Sequence, residues 1–137
     1  MCGIVAVTGY KKALPLLING LKKLEYRGYD SAGIAIINPD TKEISCNRAE
    51  GKLKNLINEV NNMEIDGTVG IGHTRWATHG KPEVKNAHPH IDNSGRIAVV
   101  QNGIIENFQE LKSKLENEGI VFNSDTCLLY TSPSPRD

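Results

Sequence analysis

The chain has no net charge, because its 137 residues include 16 basic and 16 acidic side chains. This balance gives no electrostatic reason to expect nucleic acid or an anionic membrane as a partner. The sequence also lacks any run near the about 20 apolar residues that span a bilayer, and its first residues lack the basic start of a signal peptide. We therefore expect a cytoplasmic protein that binds neither nucleic acid nor a membrane.

Cysteine is scarce, with three residues at positions 2, 46 and 127 and no CxxC pair. This pattern excludes a zinc ribbon and a thioredoxin-type motif, and the odd number argues against a disulfide framework. Four histidines lie between residues 73 and 90, but they form no HExxH motif and have no cysteine partner. We expect no metal site, and favour capping and loop hydrogen bonds for these side chains.

Short apolar runs alternate with amphipathic segments along most of the chain, which predicts a layered domain of helices and strands. Predicted strands cover residues 4–7, 33–37, 43–48, 69–72 and 97–100, with a further strand beginning at 120. Leucines at helical spacing predict helices near residues 14–24, 53–60 and 108–115. Residues 73–95 have little periodicity and are predicted to form a long irregular loop, a kind of segment that is often functional.

Cys2 stands at a position with unusual chemistry. If Met1 is removed, the α-amino group of Cys2 becomes free and titrates at about 7.7–8.0, so thiol and base belong to one residue. The predicted strand from Ile4 would hold this residue at the end of a sheet. Taken by position alone, a small structural thiol beside a core strand is the commoner interpretation of Cys2.

Two other features suit the cleavage of an amide. Asn102 and Gly103 follow a predicted strand and offer a side-chain amide and a backbone N–H for a developing oxyanion. Arg75 could bind a substrate carboxylate through its planar fork of donors. Each feature has a simpler interpretation, since Asn-Gly is a common turn and residues 73–80 could be a solvated loop around a packed Trp76.

The order of several sequence blocks is more specific than any one of them. MCGIV opens the chain, and LEYRGYDSAG (24–33), GHTRWATHG (72–80), NAHPH (86–90) and NGIIEN (102–107) follow. Together they resemble the class II glutamine amidotransferases, which are N-terminal nucleophile hydrolases, and in particular those that use fructose 6-phosphate. The resemblance implies an enzyme of α+β class with a four-layer αββα sandwich, incomplete at its C-terminal end. It implies no metal, no pyridoxal phosphate and no other cofactor.

The resemblance also implies roles for individual residues. Cys2 is the nucleophile with its freed amine as base, and Asn102 and Gly103 form the oxyanion hole. Arg75 binds the α-carboxylate of glutamine. The remaining expected substrate-site residues are Trp76, which helps to gate ammonia, Thr78 and His79 in the same loop, and Arg27 near the nucleophile.

The sequence departs from the family pattern at two places. Gln101 stands where the family commonly has histidine, and Cys127 replaces the aspartate that would bind the α-amino group of glutamine. We expect residues 2–126 to be part of a glutaminase domain and residues 127–137 to be a non-family tail of artefactual origin. The ammonia would serve a missing domain that converts fructose 6-phosphate to glucosamine 6-phosphate, and the intact enzyme could form a homodimer.

Two alternative hypotheses stay open at this point. The chain could belong to a class II amidotransferase with another acceptor, such as amidophosphoribosyltransferase, although the GHTRWATHG and NGIIEN blocks argue against it. It could also be an inactive truncated fragment, because an incomplete sheet leaves unpaired edges and a smaller core.

Overall fold

A four-stranded antiparallel sheet in the order β1-β4-β2-β3 forms the centre of the computed structural model. The structure describes residues 2–76, 83–103 and 105–122, without the side chain of Arg27. The strands are β1 (Gly3–Val7), β2 (Ser31–Ile37), β3 (Ile44–Glu50), β4 (Val69–Arg75), β5 (His90–Ile91) and β6 (Ala98–Val99). The helices are α1 (Ala13–Leu24), α2 (Leu53–Val60) and α3 (Phe108–Asn117), with short 3₁₀ turns at Glu25–Arg27 and Val84–Asn86.

The hydrophobic core lies between the four-stranded sheet and the helices α1 and α2. Leu17 and Leu21 of α1 and Leu53 and Leu56 of α2 are fully buried in it. Strand β2 contributes alternate residues, including the fully buried Ile34, as the two-residue period of a strand requires. Each such side chain stabilises the fold by about 1.5–3 kcal/mol relative to an exposed one, so this helix-covered face carries most of the hydrophobic stabilisation.

The opposite face of the sheet meets a second, smaller layer. Strands β5 and β6 pair with each other in a separate two-stranded sheet. Gly33 of β2 lies so close to the backbone carbonyl of His88 that a Cβ atom at this position would overlap it. The absence of a side chain at Gly33 therefore allows the segment leading into β5 to approach the sheet.

The described elements confirm the α+β class and most of the elements predicted from sequence. Two predictions were wrong. Residues 73–75 continue β4 and His90–Ile91 form β5 within the segment predicted to be an irregular loop, and residues 120–122 do not form a strand. Thr78, His79 and the tail that begins at Cys127 lie outside the described residues. The side chain of Arg27 is not described either, so its position near the nucleophile stays a prediction. Within the described part of the chain, no helix combines the length and apolar character needed to cross a membrane.

Candidate active site

Cys2 lies at the start of β1, beside the end of the central strand β4. Gly3 pairs with Thr74 in the sheet, which brings Cys2 level with the last residues of that strand. The backbone N–H of Trp76 donates to Cys2 Sγ at 3.2 Å, and Sγ lies 3.6 Å from the Trp76 carbonyl oxygen. The thiol is only partly buried. The sheet therefore holds a reachable sulfur in a defined position.

Asn102 reaches Cys2 from a point 100 residues away in the chain. Its side-chain nitrogen Nδ2 donates to the backbone carbonyl of Cys2 at 3.1 Å. The other end of the same amide, Oδ1, lies 2.8 Å from Nε2 of His73 on β4. Gly103 follows at an exposed position. The structure thus brings the predicted nucleophile and the predicted Asn-Gly pair together.

Arg75 is the last residue of β4 and is almost completely buried, with 3% of its surface exposed. Its guanidinium lies 3.8 Å from a carboxylate oxygen of Asp30, and the Asp30 backbone N–H donates to the Arg75 carbonyl at 2.7 Å. Burial of either charged side chain without its partner would be costly in free energy, so Asp30 and Arg75 each depend on the other. Sequence reasoning had not selected Asp30, although it lies within the LEYRGYDSAG block.

Trp76 places its ring over the loop that follows the first 3₁₀ turn. Half of the residue's surface is exposed. Gly28 has a φ of 74°, and a Cβ atom built on it would lie 3.3 Å from the Trp76 ring. A left-handed backbone and close contact with an aromatic ring both favour glycine at this position. The LEYRGYDSAG and GHTRWATHG blocks therefore meet beside Cys2.

Three buried histidines stack between the sheet and the segment that leads into β5. The rings of His73 and His88 lie 4.2 Å apart and nearly parallel, and those of His88 and His90 lie 4.5 Å apart. Burial, with further contributions from neighbouring positive groups, lowers the pKa of His73 to about 4, of His88 to about 2 and of His90 to about 3. The three rings are therefore neutral near pH 7. No set of three or more metal-ligating side chains converges within the described ranges.

Comparison with solved structures defines the class of protein. The chain matches the fold of glutamine phosphoribosylpyrophosphate amidotransferase from B. subtilis with a TM-score of 0.74 and 27% identity, over 95% of this chain and 28% of that one. The α+β fold is thus that of the N-terminal nucleophile type. A family model for the glutamine amidotransferase domain matches residues 38–131, and the chain belongs to this family.

Curated relatives are more similar in sequence and much longer. The glutamine–fructose-6-phosphate aminotransferase (isomerizing) of Thermosynechococcus vestitus is 59% identical over 126 residues, and that of Gloeobacter violaceus is 60% identical over 127. Each alignment covers 92% of this chain and 20% of the relative. The chain therefore spans about a fifth of the length of these relatives.

Proposed function

We propose that this chain provides the glutaminase site of a glutamine-dependent amidotransferase, with Cys2 as the nucleophile. The observation that carries the proposal is the contact of Asn102 with the Cys2 carbonyl, beside a sulfur held by the backbone of Trp76. A nucleophile and an oxyanion donor from opposite ends of the chain meet at one place, as cleavage of an amide requires.

The proposed reaction begins once Met1 has been removed. The freed α-amine of Cys2 takes the thiol proton while Sγ attacks the side-chain amide carbon of glutamine. The oxyanion that forms accepts hydrogen bonds from Asn102 Nδ2 and the Gly103 N–H. Collapse of this intermediate expels the amide nitrogen as ammonia, with the proton returned from the amine, and leaves a thioester. Attack of water on the thioester then releases glutamate and restores the thiol.

Arg75 is proposed to bind the α-carboxylate of glutamine. Its ion pair with Asp30 does not conflict with this role, because a guanidinium carries five N–H donors and can contact more than one carboxylate. Trp76, Thr78 and His79 are proposed to close over the substrate, with Arg27 near the nucleophile. Support for these last roles comes from the resemblance of the GHTRWATHG and LEYRGYDSAG blocks.

The acceptor of the ammonia would lie outside this chain, in a protein about five times longer. We propose fructose 6-phosphate, converted to glucosamine 6-phosphate in the cytoplasm by an enzyme that could be a homodimer. Identity of 59–60% to relatives named for that reaction favours it over the phosphoribosyl acceptor of the structural neighbour at 27%. In this proposal, residues 2–126 belong to the glutaminase domain.

The test compares the chain with Cys2→Ala and with Cys46→Ala as the matched control. Cys46 is also a partly buried free thiol, but burial raises its pKa. Removal of Met1 is checked by mass, and labelling is measured with an electrophilic glutamine analogue. We expect one label per chain, lost in Cys2→Ala and kept in Cys46→Ala. Labelling that survives Cys2→Ala would contradict the nucleophile assignment.

Glutamate release is measured on the same proteins together with Cys127→Asp. An aspartate here would restore a charge-assisted hydrogen bond to the substrate amine, worth about 1.5–3 kcal/mol. We therefore expect Cys127→Asp to raise kcat/KM by roughly 10- to 150-fold. If neither the chain nor Cys127→Asp releases glutamate or takes the label, the glutaminase proposal is wrong.

A further inference from the structure

The side-chain amide of Asn102 is held at both ends. Its nitrogen donates to the Cys2 carbonyl, and its oxygen lies 2.8 Å from His73 Nε2. An amide has nearly the same shape when turned by 180°, but the turned form offers an acceptor where a donor is needed. A proposed oxyanion donor must not turn, so the group that fixes its orientation matters for catalysis.

The hydrogen on His73 can be assigned by following these contacts. The Cys2 carbonyl can only accept, so the Asn102 amide must present Nδ2 to it, and Oδ1 must face His73. An amide oxygen can only accept, so His73 Nε2 must carry a hydrogen. The turned amide would oppose two oxygen atoms. His73 Nδ1 is buried without a partner among the described residues in either orientation, so the contact with the Cys2 carbonyl decides the assignment.

The ring of His73 is well suited to hold another group in place. It is fully buried and belongs to β4, which pairs with β1 on one side and β2 on the other. His88 stacks on it at 4.2 Å. Asn102, in contrast, is exposed and follows a strand of only two residues. The bond from His73 therefore connects the rigid sheet to an exposed side chain.

We propose that His73 is a positioning residue that locks the Asn102 amide with Nδ2 toward Cys2. One hydrogen of Nδ2 then bonds to the Cys2 carbonyl, and the second is directed to the oxyanion of the substrate. This inference rests on the proposed glutaminase function for its catalytic consequence. Its structural part, the orientation of the amide, holds independently of turnover.

The experiment compares His73→Gln with His73→Leu in the whole chain. A glutamine side chain can place an N–H donor near the position of Nε2, whereas leucine has none. Hydrogen exchange of the Asn102 side-chain amide is followed by NMR, and glutamate release gives kcat and KM. For His73→Leu we expect exchange about 5- to 10-fold faster and kcat roughly 10- to 100-fold lower, with KM changed by less than about 3-fold. His73→Gln should retain most of the protection of the Asn102 amide from exchange and most of kcat.

His90→Leu is the matched control, since His90 is an equally buried ring at the far end of the same stack. It should lose stability but leave the Asn102 exchange and kcat within about 3-fold. A folded His73→Leu that keeps both readouts overturns the proposal. If that variant does not fold, His73→Gln is compared with His73→Asn, whose amide reaches only the Nδ1 position, and equal behaviour of the two overturns it. Absence of labelling and of glutamate release in both the chain and Cys127→Asp would refute the glutaminase function, while the exchange data would still decide the role of His73.

Discussion

The region up to Arg75 and the region from residue 83 to residue 122 are built in different ways. The first has four strands of five to seven residues and two helices that bury their leucines against them. The second has two strands of two residues each, and its helix α3 has no buried residue among those described. Long paired strands with a covered apolar face resist local opening, whereas short strands and exposed helices open readily.

The candidate site joins these two regions. Cys2 and Arg75 belong to or adjoin the long-stranded sheet, while Asn102 and Gly103 belong to the region with short strands. The contacts that connect this region to the sheet include the histidine stack, Gly33 against His88 and the bond from His73 to Asn102. We expect the two regions to differ in how firmly they are held, and three predictions on stability test that difference.

Acidification should destabilise the contacts between the two regions, with the largest effect on the free energy of unfolding among the three predictions. Burial lowers the pKa of His73, His88 and His90 to about 4, 2 and 3, below the usual value near 6.5. Between the pKa values of the folded chain and the value near 6.5, the unfolded chain binds more protons than the folded chain. The free energy of unfolding therefore has its full value above about pH 6.5 and decreases as the pH falls. Three histidines at about 1.4 kcal/mol each make the free energy of unfolding on the order of 4 kcal/mol smaller at pH 5.5 than at pH 7.5.

Urea unfolding at the two pH values measures this difference. His90→Leu should reduce the pH dependence by about a third, because it removes one of the three titrating rings. The same free energy of unfolding at both pH values would show that these rings do not remain neutral and buried in the folded chain.

Truncation of matched leucines should show the difference between the regions directly. Leu21 of α1 is fully buried, whereas Leu115 of α3 is only half-buried. Leu21→Ala leaves a cavity in the core and should cost about 3 kcal/mol, and Leu115→Ala should cost less than about 1 kcal/mol. Thermal or urea unfolding checks both values. Comparable losses at the two sites would mean that α3 is packed as firmly as α1.

Hydrophobic spacing was sufficient to predict the first region. The leucines of α1 and α2 and the apolar runs of β1 and β2 follow the periods of a helix and of a buried strand. The end of β4 was missed because His73, Thr74 and Arg75 are polar and yet buried. They continue the strand because partners on both sides satisfy the backbone, and a single sequence does not reveal that pairing.

The candidate site was predicted as a set of residues but not as a geometry. Resemblance selected Cys2, Asn102 and Arg75, and the structure brings Asn102 to the Cys2 carbonyl. Sequence reasoning did not select His73 and Asp30, the two residues that contact Asn102 and Arg75. His73 acts across 29 positions and Asp30 across 45, so neither contact leaves a local pattern in the sequence.

Gly33→Ala should give the smallest of the three effects on stability and the most local one. The added Cβ would meet the backbone carbonyl of His88, which cannot rotate away, so the segment must shift as a whole. Overpacking of this kind costs about 2 kcal/mol. Gly20→Ala is the control, because its Cβ would lie 2.8–3.0 Å from the methyl groups of Val5 rather than against backbone. The movement that Val5 must make offsets the gain of about 1 kcal/mol from alanine in the helix, so the net change in stability should be small. Because the shift would expose His88 to water, Gly33→Ala should also weaken the dependence of stability on pH, which Gly20→Ala should leave unchanged. If Gly33→Ala unfolds at the same urea concentration as the original chain and with the same pH dependence, the contact between β2 and His88 is not what holds the second region to the first.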